Sequence, residues 1–584
     1  MGRASTLPEL LSLEQRHGDR FDHFNLGAFW SKFKKLPRGE LGGLRDHLAP
    51  VCQQSVRMLP TLSAREVANL SHAFAGLIGS GPWESVWAAL PGVALRSLVD
   101  FEPPHLANTA WTFTKAGHES AELFNAISAE VVRRRLGNFD PQALSNTVWA
   151  FAKAGHESVE LFNVISAEVV RRRLGNFKPQ ALSNTAWAFA KAGHESVELF
   201  NAISAEGVHR RLSDFKEQEL SNTAWAFATA GHASAELFNA ISATVVRRRL
   251  GDLDPQHLSN MVWAFATAGH ASAELFNAVS TEVVRRRLGN FNPQDLSSMV
   301  WAFAKAGHTS TQLFNAISAT VVRRRLGDLD PQHLSNMVWA FATAGHASAE
   351  LFNAVSAEVV RRRLGNFNPQ DLSITAWSFA KAGHESEELF NAISAEVVRR
   401  RLGTFKPQAL SNTAWAFATA GHESVELFNA ISAEVVRRRL GGFEAQALAN
   451  LAWAFAVFNP FSADEVFGTT IFSTRCIQLE TTFSRLELSQ LHQWSIWREE
   501  RSAQWPGLPN SLRQACRTAF DAQGETSSLL QHKVVQEIRS CGFRVKDEHR
   551  CKSSGYSIDA LITLNNGEQI AVEVDGPCHF VGRS

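Results

Sequence analysis

Only 20% of the 584 residues are charged, and the formal net charge is +1. Without bulk basic character, any nucleic-acid surface must come from charge segregated onto one face of the protein. The six cysteines form no CxxC pair, which favours a reducing compartment over a zinc site or a disulfide framework. No apolar run approaches the roughly 20 residues of a membrane helix, so we expect no membrane partner.

Residues 1–100 are predicted to hold degenerate copies of a helical unit that becomes regular further along the chain. Residues 67–75 read VANLSHAFA and resemble the core of that unit, with His72 where the regular copies carry tryptophan. Terminal units of such arrays are atypical because one of their faces meets water. The N-terminal segment shows no clear transit peptide, since it lacks an Arg-rich, acid-poor profile.

Residues 101–458 form an array in which a tryptophan recurs every 38 residues. A period of this size predicts an α-solenoid, in which each repeat buries its apolar face by stacking on its neighbours. The ten tryptophans, which number the repeats from 1 to 10, are Trp111, Trp149, Trp187, Trp225, Trp263, Trp301, Trp339, Trp377, Trp415 and Trp453.

Each repeat is predicted to be a hairpin of two helices. In repeat 2 the first helix begins at Asp140 and Pro141, where the missing N–H of proline costs nothing, and it ends at Gly155. Ser158 is the predicted N-cap of the second helix, which carries an apolar stripe and ends in three arginines.

Beyond residue 458 the regular period is lost. Residues 459–526 are predicted to be a C-terminal cap and connector. In residues 527–584 one helix is followed by three strands, and Asn566 with Gly567 between alternating apolar residues indicates a tight hairpin. A small α/β module therefore follows the solenoid.

One face of the first helix is predicted to combine an asparagine, a small residue and an intermittent cation, as in Asn146, Ala150 and Lys153. An amide that donates and accepts hydrogen bonds, beside a cation, suits one base and its phosphate. The alternative is that the asparagine bonds the neighbouring repeat. The RNA-binding candidates on this face are Asn108, Lys115, Asn146, Lys153, Asn184, Lys191, Asn222, Asn260, Ser298, Lys305, Asn336, Lys381 and Asn412.

The arginine triplets allow two interpretations. They complement the negative end of the second helix and pair with acids such as Glu168 or Glu157, or one arginine per repeat forms a basic edge along a phosphate backbone. The candidates for that edge are Arg134, Arg172, Arg248, Arg286, Arg324, Arg362, Arg400 and Arg438.

The tryptophans and histidines of the repeat are predicted to be structural. Each tryptophan lies among apolar neighbours, which favours a place in the core between helices over base stacking. Histidines such as His156 follow the glycine that ends the first helix, so a hydrogen-bonded turn residue is favoured over a metal ligand.

Three acids of the C-terminal module are the catalytic candidates. Asp559 lies on one predicted strand, while Glu573 and Asp575 alternate on the next and point to one face. Acids on adjacent strands suit a divalent metal for phosphodiester hydrolysis. The alternative is that they bind a ligand or orient a loop without cutting. No metal site is assigned, and Mg²⁺ or Mn²⁺ is expected only if the module is a nuclease.

The C-terminal segment resembles the RAP domain in its GYSID motif, its IAVEVDG strand and its GPCHF ending. The 38-residue units, with SNxxWAFAKAGH, are similar to octotricopeptide-type repeats. Together these resemblances imply an organellar RNA-binding protein of the mitochondrion or plastid, with a restriction-endonuclease-like module. They also imply a role in RNA processing, mRNA stability or translation.

Two features depart from the resemblance. Asp575 stands where a nuclease of that superfamily usually has lysine, and the chain ends nine residues later, so the RAP module is expected to be truncated. The leading hypothesis is a monomeric, sequence-selective binder of single-stranded RNA that works with other organellar RNA-processing proteins. The alternatives are a metal-dependent endoribonuclease guided by the solenoid and a protein-binding scaffold.

Overall fold

The computed structural model describes residues 6–18, 21–33, 46–75, 81–118, 120–210, 212–248, 250–286, 288–324, 326–502, 504–522, 529–551, 554–564 and 566–573. The chain forms two compact units, residues 1–282 and 283–584. Within the described ranges, no helix has both the length and the apolar character that crossing a membrane requires.

Repeat 2 shows how the sequence forms the first helix of the hairpin. The carboxylate of Asp140 accepts a hydrogen bond from the N–H of Ala143 at 2.6 Å and so caps the helix Pro141–Ala154. Gly155 ends this helix with φ of 67°, in the left-handed region that favours glycine. The predicted start at proline and end at glycine are therefore confirmed.

The second helix of repeat 2 is Val159–Arg171, and the 3-10 turn Leu174–Asn176 leads from it into repeat 3. Ser158 precedes the helix as predicted, but its hydroxyl does not cap it. Instead, the Ser158 Oγ lies 2.6 Å from the Oγ of Ser128 in repeat 1. The predicted cap serves here as a contact between repeats.

The helices of the N-terminal unit alternate between these two types once the regular array begins. In chain order they are Leu7–His17, His23–Phe33, Ala49–Met58, Ala64–Phe74, Glu84–Ser97, Pro103–Ala116, Ala121–Arg133, Pro141–Ala154, Val159–Arg171, Pro179–Ala192, Val197–His209, Glu217–Thr229, Ala235–Arg247, Pro255–Thr267 and Ala273–Arg285. The boundary between the two units falls within the last of these helices.

The C-terminal unit continues the same alternation. Its helices are Pro293–Lys305, Thr311–Arg323, Pro331–Thr343, Ala349–Arg361, Pro369–Ala382, Glu387–Arg399, Pro407–Ala420, Val425–Arg438, Ala445–Phe458, Ala463–Phe467, Ile471–Gln478, Arg485–Arg501, Asn510–Asp521 and Leu529–Ser540.

Within each unit the helices pack in two layers. First helices pack on the first helices of adjacent repeats, and second helices pack on second helices. Between the layers the side chains of Leu144, Phe151, Leu161 and Ile165 are fully buried. Full burial of such a side chain contributes on the order of 2 kcal/mol, so stacking on neighbours supplies the core that one hairpin lacks. The fold is the predicted tandem array of helical hairpins.

The helix Ala64–Phe74 extends the first-helix layer before repeat 1. The ring of His72 stacks on that of Trp111, with centroids 5.5 Å apart and an interplanar angle of 23°. His72 therefore occupies the place of the repeat tryptophan, as the sequence predicted.

The segment after repeat 10 also follows the layer. The helix Arg485–Arg501 packs against Ala445–Phe458, and Asn510–Asp521 packs against Arg485–Arg501. These helices cap the first-helix layer with non-repeat sequence.

The C-terminal module contains the helix Leu529–Ser540 and a three-stranded antiparallel sheet in the order β1 (Arg544–Arg550), β2 (Ser557–Thr563) and β3 (Gln569–Val572). The N–H of Gly567 donates to the carbonyl of Leu564, and the φ of Gly567 is 88°. The predicted helix, three strands and tight turn are therefore present. The described residues leave the RAP fold itself as an expectation.

Candidate nucleic-acid interface

Four positions of each first helix share one accessible face. In repeat 2 they are Gln142, Asn146, Trp149 and Lys153, spaced i, i+4, i+7 and i+11. At 3.6 residues per turn these spacings return to nearly the same side of the helix. Gln142 and Lys153 are exposed, while Asn146 and Trp149 are half-buried. We call this set the first-helix face.

The structure corrects one part of the predicted stripe. Ala150, which the sequence placed between Asn146 and Lys153, is fully buried in the layer of first helices. Trp149 takes its place, and Gln142 extends the face toward the N-terminal end of the helix. The spacing i, i+4, i+7 from Asn146 gives the wrong middle residue, because helical spacing alone does not show which side chains are buried against the neighbouring first helices.

The first-helix face recurs down both units with limited variation. Glutamine holds the first position from repeat 2 onward, and the fourth is lysine, threonine or, in repeat 10, valine. The second position holds Asn108, Asn146, Asn184, Asn222, Asn260, Ser298, Asn336, Ile374, Asn412 and Asn450, and lysine is present at Lys115, Lys153, Lys191, Lys305 and Lys381.

The half-buried tryptophans form a ladder along this face. Ring centroids of Trp149 and Trp187 are 6.1 Å apart, and those of Trp187 and Trp225 are also 6.1 Å apart. In the C-terminal unit Trp377, Trp415 and Trp453 follow at 6.1 and 6.0 Å. The predicted core role is therefore only part of their environment, because each indole packs on its neighbour and also reaches the accessible surface.

A groove of about 430 Å³ lies between the first helices of repeats 2 and 3 near their N-terminal ends. Its lining includes Gln142, Asn146, Lys178, Gln180 and Asn184. No described residue hydrogen-bonds the side-chain amides of Asn146 or Asn184. The predicted alternative, in which the asparagine bonds the next repeat, therefore does not hold in this groove.

The alternative does hold at the end of the array. The Asn412 Oδ1 accepts hydrogen bonds from Gln408 Nε2 at 2.7 Å and from Asn450 Nδ2 at 3.2 Å. Asn450 in turn accepts from Gln490 Nε2 at 3.1 Å, on the helix Arg485–Arg501. Gln490 of the helix Arg485–Arg501 thus supplies a hydrogen-bond donor to the asparagine of repeat 10.

The middle arginine of the triplet has a structural role in at least eight repeats. Arg172 donates to the carbonyls of Phe139 and Leu136, both at 2.6 Å, and to Glu168 Oε1 at 2.6 Å. These carbonyls belong to the turn through which the chain enters repeat 2. The equivalent contacts to entry turns are made by Arg134, Arg210, Arg248, Arg324, Arg362, Arg400 and Arg438.

This geometry argues against the predicted RNA-binding edge of Arg134, Arg172, Arg248, Arg324, Arg362, Arg400 and Arg438, because their guanidinium groups are held by main-chain carbonyls. Arg286 has the equivalent place in its repeat and is half-buried. Pairing of the triplet with acids such as Glu168 is confirmed. In repeat 7 the equivalent Glu358 has its pKa lowered to about 2, first by the hydrogen bond from Arg361.

In the triplet of repeat 2 the first and third arginines are the accessible ones. The side chain of Arg171 is 67% exposed, whereas that of Arg172 is 17% exposed. Arg173 and Lys178 are exposed on the loop that leads into the first helix of repeat 3. This loop places cations beside Gln180, the first position of the first-helix face in repeat 3.

The repeat histidines are turn residues, as predicted. His194 Nε2 lies 3.0 Å from Asn163 Oδ1 of the preceding repeat, and its ring contacts Phe162 and Phe189. Partial burial lowers the pKa of His194. Each such pair links the second helix of one repeat to the turn of the next.

The C-terminal acids are only partly placed by the described residues. Asp559 is half-buried on β2, and Glu573 is exposed one residue beyond β3. The register pairs Ala560 with Val572, so its continuation sets Glu573 opposite Asp559 on the same face. Asp575 lies outside the described residues. Among those described, no group of three potential metal ligands is present.

The fold and this recurrent face define a tandem helical-repeat protein with a polar and aromatic surface on its first helices. A model of the family RESC6, the RNA-editing substrate-binding complex 6 protein, matches residues 205–396 and 309–492. The chain is thus similar to that family over repeats 4 to 10 and the start of the capping segment. No curated protein sequence matches it.

Solved structures show distant similarity over most of the chain. The pentatricopeptide repeat protein PPR10 from maize has a TM-score of 0.27 at 10% identity, over 92% of this chain and 95% of that one. PPR10 in complex with an 18-nt psaJ RNA element has a TM-score of 0.23 at 12% identity, over 88% and 98%. A homology model of the AP-3 complex has a TM-score of 0.27 at 10% identity, over 88% and 90%. None of these similarities bears on what this chain binds.

Proposed function

We propose that the protein binds single-stranded RNA in a sequence-selective manner along the first-helix faces of its repeats. The observation that carries this proposal is the recurrence of Gln142, Asn146, Trp149 and Lys153 at one accessible face every 38 residues. Amides recognise base edges through hydrogen bonds, indoles stack on bases, and lysine contacts phosphate. Each successive repeat presents the same four positions, so that successive nucleotides of one RNA strand can make equivalent contacts.

The accessible arginines supply a second element of the proposal. Arg171 pairs with Glu168 at 2.8 Å but is largely exposed, so its ion pair contributes little to stability and can be exchanged for a phosphate. Arg173 and Lys178 add charge on the loop that follows the helix of Arg171. The near-zero net charge of the chain is therefore compatible with a local phosphate track.

The biological setting is part of the proposal. Similarity to an RNA-editing substrate-binding complex protein supports a role in RNA editing or processing, together with protein partners. The resemblance of the repeats and the terminal module to octotricopeptide and RAP sequences supports a mitochondrial or plastid location. On this proposal a monomeric chain selects the RNA, and its partners act on it.

The direct test is RNA binding by the purified full-length protein from a randomised pool. Trp187→Ala removes one stacking surface of the first-helix face, and a stacked base is worth about 1–3 kcal/mol, or roughly 5- to 150-fold in affinity. Val197→Ala is the matched control, since Val197 is 58% exposed on the second helix and repeat 4 has Ala235 at this place. We expect weaker binding for Trp187→Ala alone.

Salt dependence separates this proposal from a protein-binding scaffold. Phosphate contacts require affinity to fall as salt concentration rises, because counterions are released on binding. Absence of RNA binding, or binding that salt does not change, contradicts the proposal. Crosslinking in cells followed by sequencing of the attached RNA then identifies the natural target.

A further inference from the structure

Repeat 8 differs from the other repeats at the second position of its first-helix face. This position is asparagine in eight of the ten repeats and serine in repeat 6, but it is Ile374 in repeat 8. Ile374 is half-buried and lines a groove between repeats 8 and 9, in the C-terminal unit. An isoleucine in this place has no hydrogen-bonding group to offer a ligand.

The groove at Ile374 is otherwise equivalent to the one between repeats 2 and 3. Its volume is about 460 Å³, against about 430 Å³ for the groove at Asn146. Lys406 and Gln408 line it where Lys178 and Gln180 line the earlier groove. The space for a ligand group is therefore retained although the amide is lost.

The polar group facing Ile374 across the groove is also engaged. Asn412 Oδ1 accepts from Gln408 and from Asn450, whereas no described residue bonds the side-chain amides of Asn146 and Asn184. The amide of Gln408, which lines the same groove, donates to Asn412. Of the two asparagines of the earlier groove, one is thus replaced by Ile374 and the other has its side-chain oxygen occupied, while Gln370 keeps the place of Gln142.

We propose that the groove between repeats 8 and 9 accepts a nucleobase mainly through apolar and stacking contacts and selects among bases only weakly, so that sequence selection is reduced at Ile374. This inference rests on the proposed function. A site that hydrogen-bonds a base rejects the wrong base by leaving a polar group unpaired, whereas an apolar wall has no group to leave unpaired. Trp339 lines this groove and supplies an aromatic surface that every base can use.

The test is base selection from a randomised RNA pool by the full-length chain and three variants. Ile374→Asn restores the residue of the other repeats, and repeat 9 carries it in the matching sequence SNTAWAFA. Ser378→Ala is the matched control, because Ser378 is buried in the same helix and its change to the repeat consensus leaves the groove lining intact. Asn336→Ile in repeat 7 tests the reverse change.

We expect the wild-type chain to show one nucleotide position with less than about twofold discrimination, flanked by selective positions. Ile374→Asn should raise discrimination there to on the order of fivefold, the value of about one net hydrogen bond. Asn336→Ile should create a second tolerant position next to the first, which assigns the register. Ser378→Ala should leave the selection profile unchanged.

Two results would overturn the inference and leave the proposed function standing. The first is that the wild-type chain discriminates among bases as strongly at the nucleotide assigned to Ile374 as at the other nucleotides. That nucleotide is the one next to the position altered by Asn336→Ile. The other is an Ile374→Asn profile identical to wild type in a folded, RNA-binding protein. If no RNA binds to the wild-type chain, the proposed function fails and the inference fails with it.

Discussion

Arg172 ties the end of repeat 2 to its beginning by donating to the carbonyl oxygen of Phe139, 33 residues earlier in the chain, at 2.6 Å. The Nη2 of Arg172 also donates to the carbonyl of Leu136 in the same turn, and its Nε donates to Glu168 Oε1. The guanidinium therefore binds two main-chain carbonyls of one turn, and the Leu136 carbonyl also accepts from the N–H of Phe139. The same device recurs in at least eight repeats, which makes it a property of the repeat.

Replacement of Arg172 by glutamine should destabilise the array locally by about 2–3 kcal/mol, because two carbonyls and Glu168 lose a charged partner. Arg171→Gln is the control, since Arg171 is exposed and its surface pair contributes little. Hydrogen exchange of the Phe139 amide, which donates to the Leu136 carbonyl in this turn, measures the effect. Equal protection in the two variants would contradict the structural role of Arg172.

The repeat histidines predict a loss of stability in mild acid. Burial lowers the pKa of His194, His346 and His422 in the folded chain. The unfolded chain then binds more protons below a pH of about 6.5, so unfolding free energy is constant above that pH and falls as pH drops through it. Urea unfolding at several pH values measures this slope.

His194→Gln is the variant that isolates one such histidine. Glutamine does not titrate and retains an amide donor for Asn163 Oδ1, which His194 Nε2 contacts at 3.0 Å. We expect a smaller fall in stability between pH 7 and pH 5 around repeats 2 and 3 than in the wild-type chain. A steeper fall, or none in either protein, would show that these histidines do not control the acid response.

Repeats 5 and 7 should select the same base if the first-helix face contacts RNA. Residues 251–290 and 327–366 differ only at Thr281 and Ala357, which lie on the second helices. With one base per repeat, the shared preference must appear at two nucleotides separated by one other. Selection from a randomised pool that lacks such a pair would exclude one-base-per-repeat recognition.

The C-terminal module is expected to leave bound RNA intact, and metal addition tests this. Incubation of the complex with Mg²⁺ or Mn²⁺ should release no fragments, and Asp559→Ala should bind RNA with unchanged affinity because the first-helix faces are untouched. Glu568→Ala, an exposed acid in the hairpin turn, is the control. Cleavage that is lost in Asp559→Ala and kept in Glu568→Ala would establish the nuclease alternative.

The helical hairpin could be predicted from the period of 38 residues together with Pro141 and Gly155. Proline favours the first turn of a helix and glycine favours the left-handed residue that ends it, so the sequence shows where the first helix begins and ends. The accessible face was predicted only in part. Asn146 and Lys153 were placed correctly, but Ala150 was exchanged for Trp149, since an indole that packs on its neighbour and still reaches water is apolar by sequence alone. Helical spacing gives candidates for a face, and contact with the next repeat decides among them.

The arginine triplet shows a different limit. Its three residues are identical in sequence, yet the backbone leaves the helix after Arg171 and turns Arg172 inward toward Phe139. That direction depends on the position of the entry turn of the same repeat, 33 residues earlier in the chain, which no local pattern contains. The choice of the middle arginine as the RNA contact therefore failed for a tertiary reason.

The arginine that closes each repeat on its own entry turn makes the array modular at the level of the gene. Removal of residues 141–178 would join Asp140 to Pro179 and bring Arg210, which now donates to Phe177 and Leu174, to the equivalent carbonyls of Phe139 and Leu136. Recombination between near-identical segments can thus lengthen or shorten the chain in whole steps without leaving an unmatched junction. The number of first-helix faces can therefore change by inheritance, while each remaining repeat keeps the arginine contact that closes it.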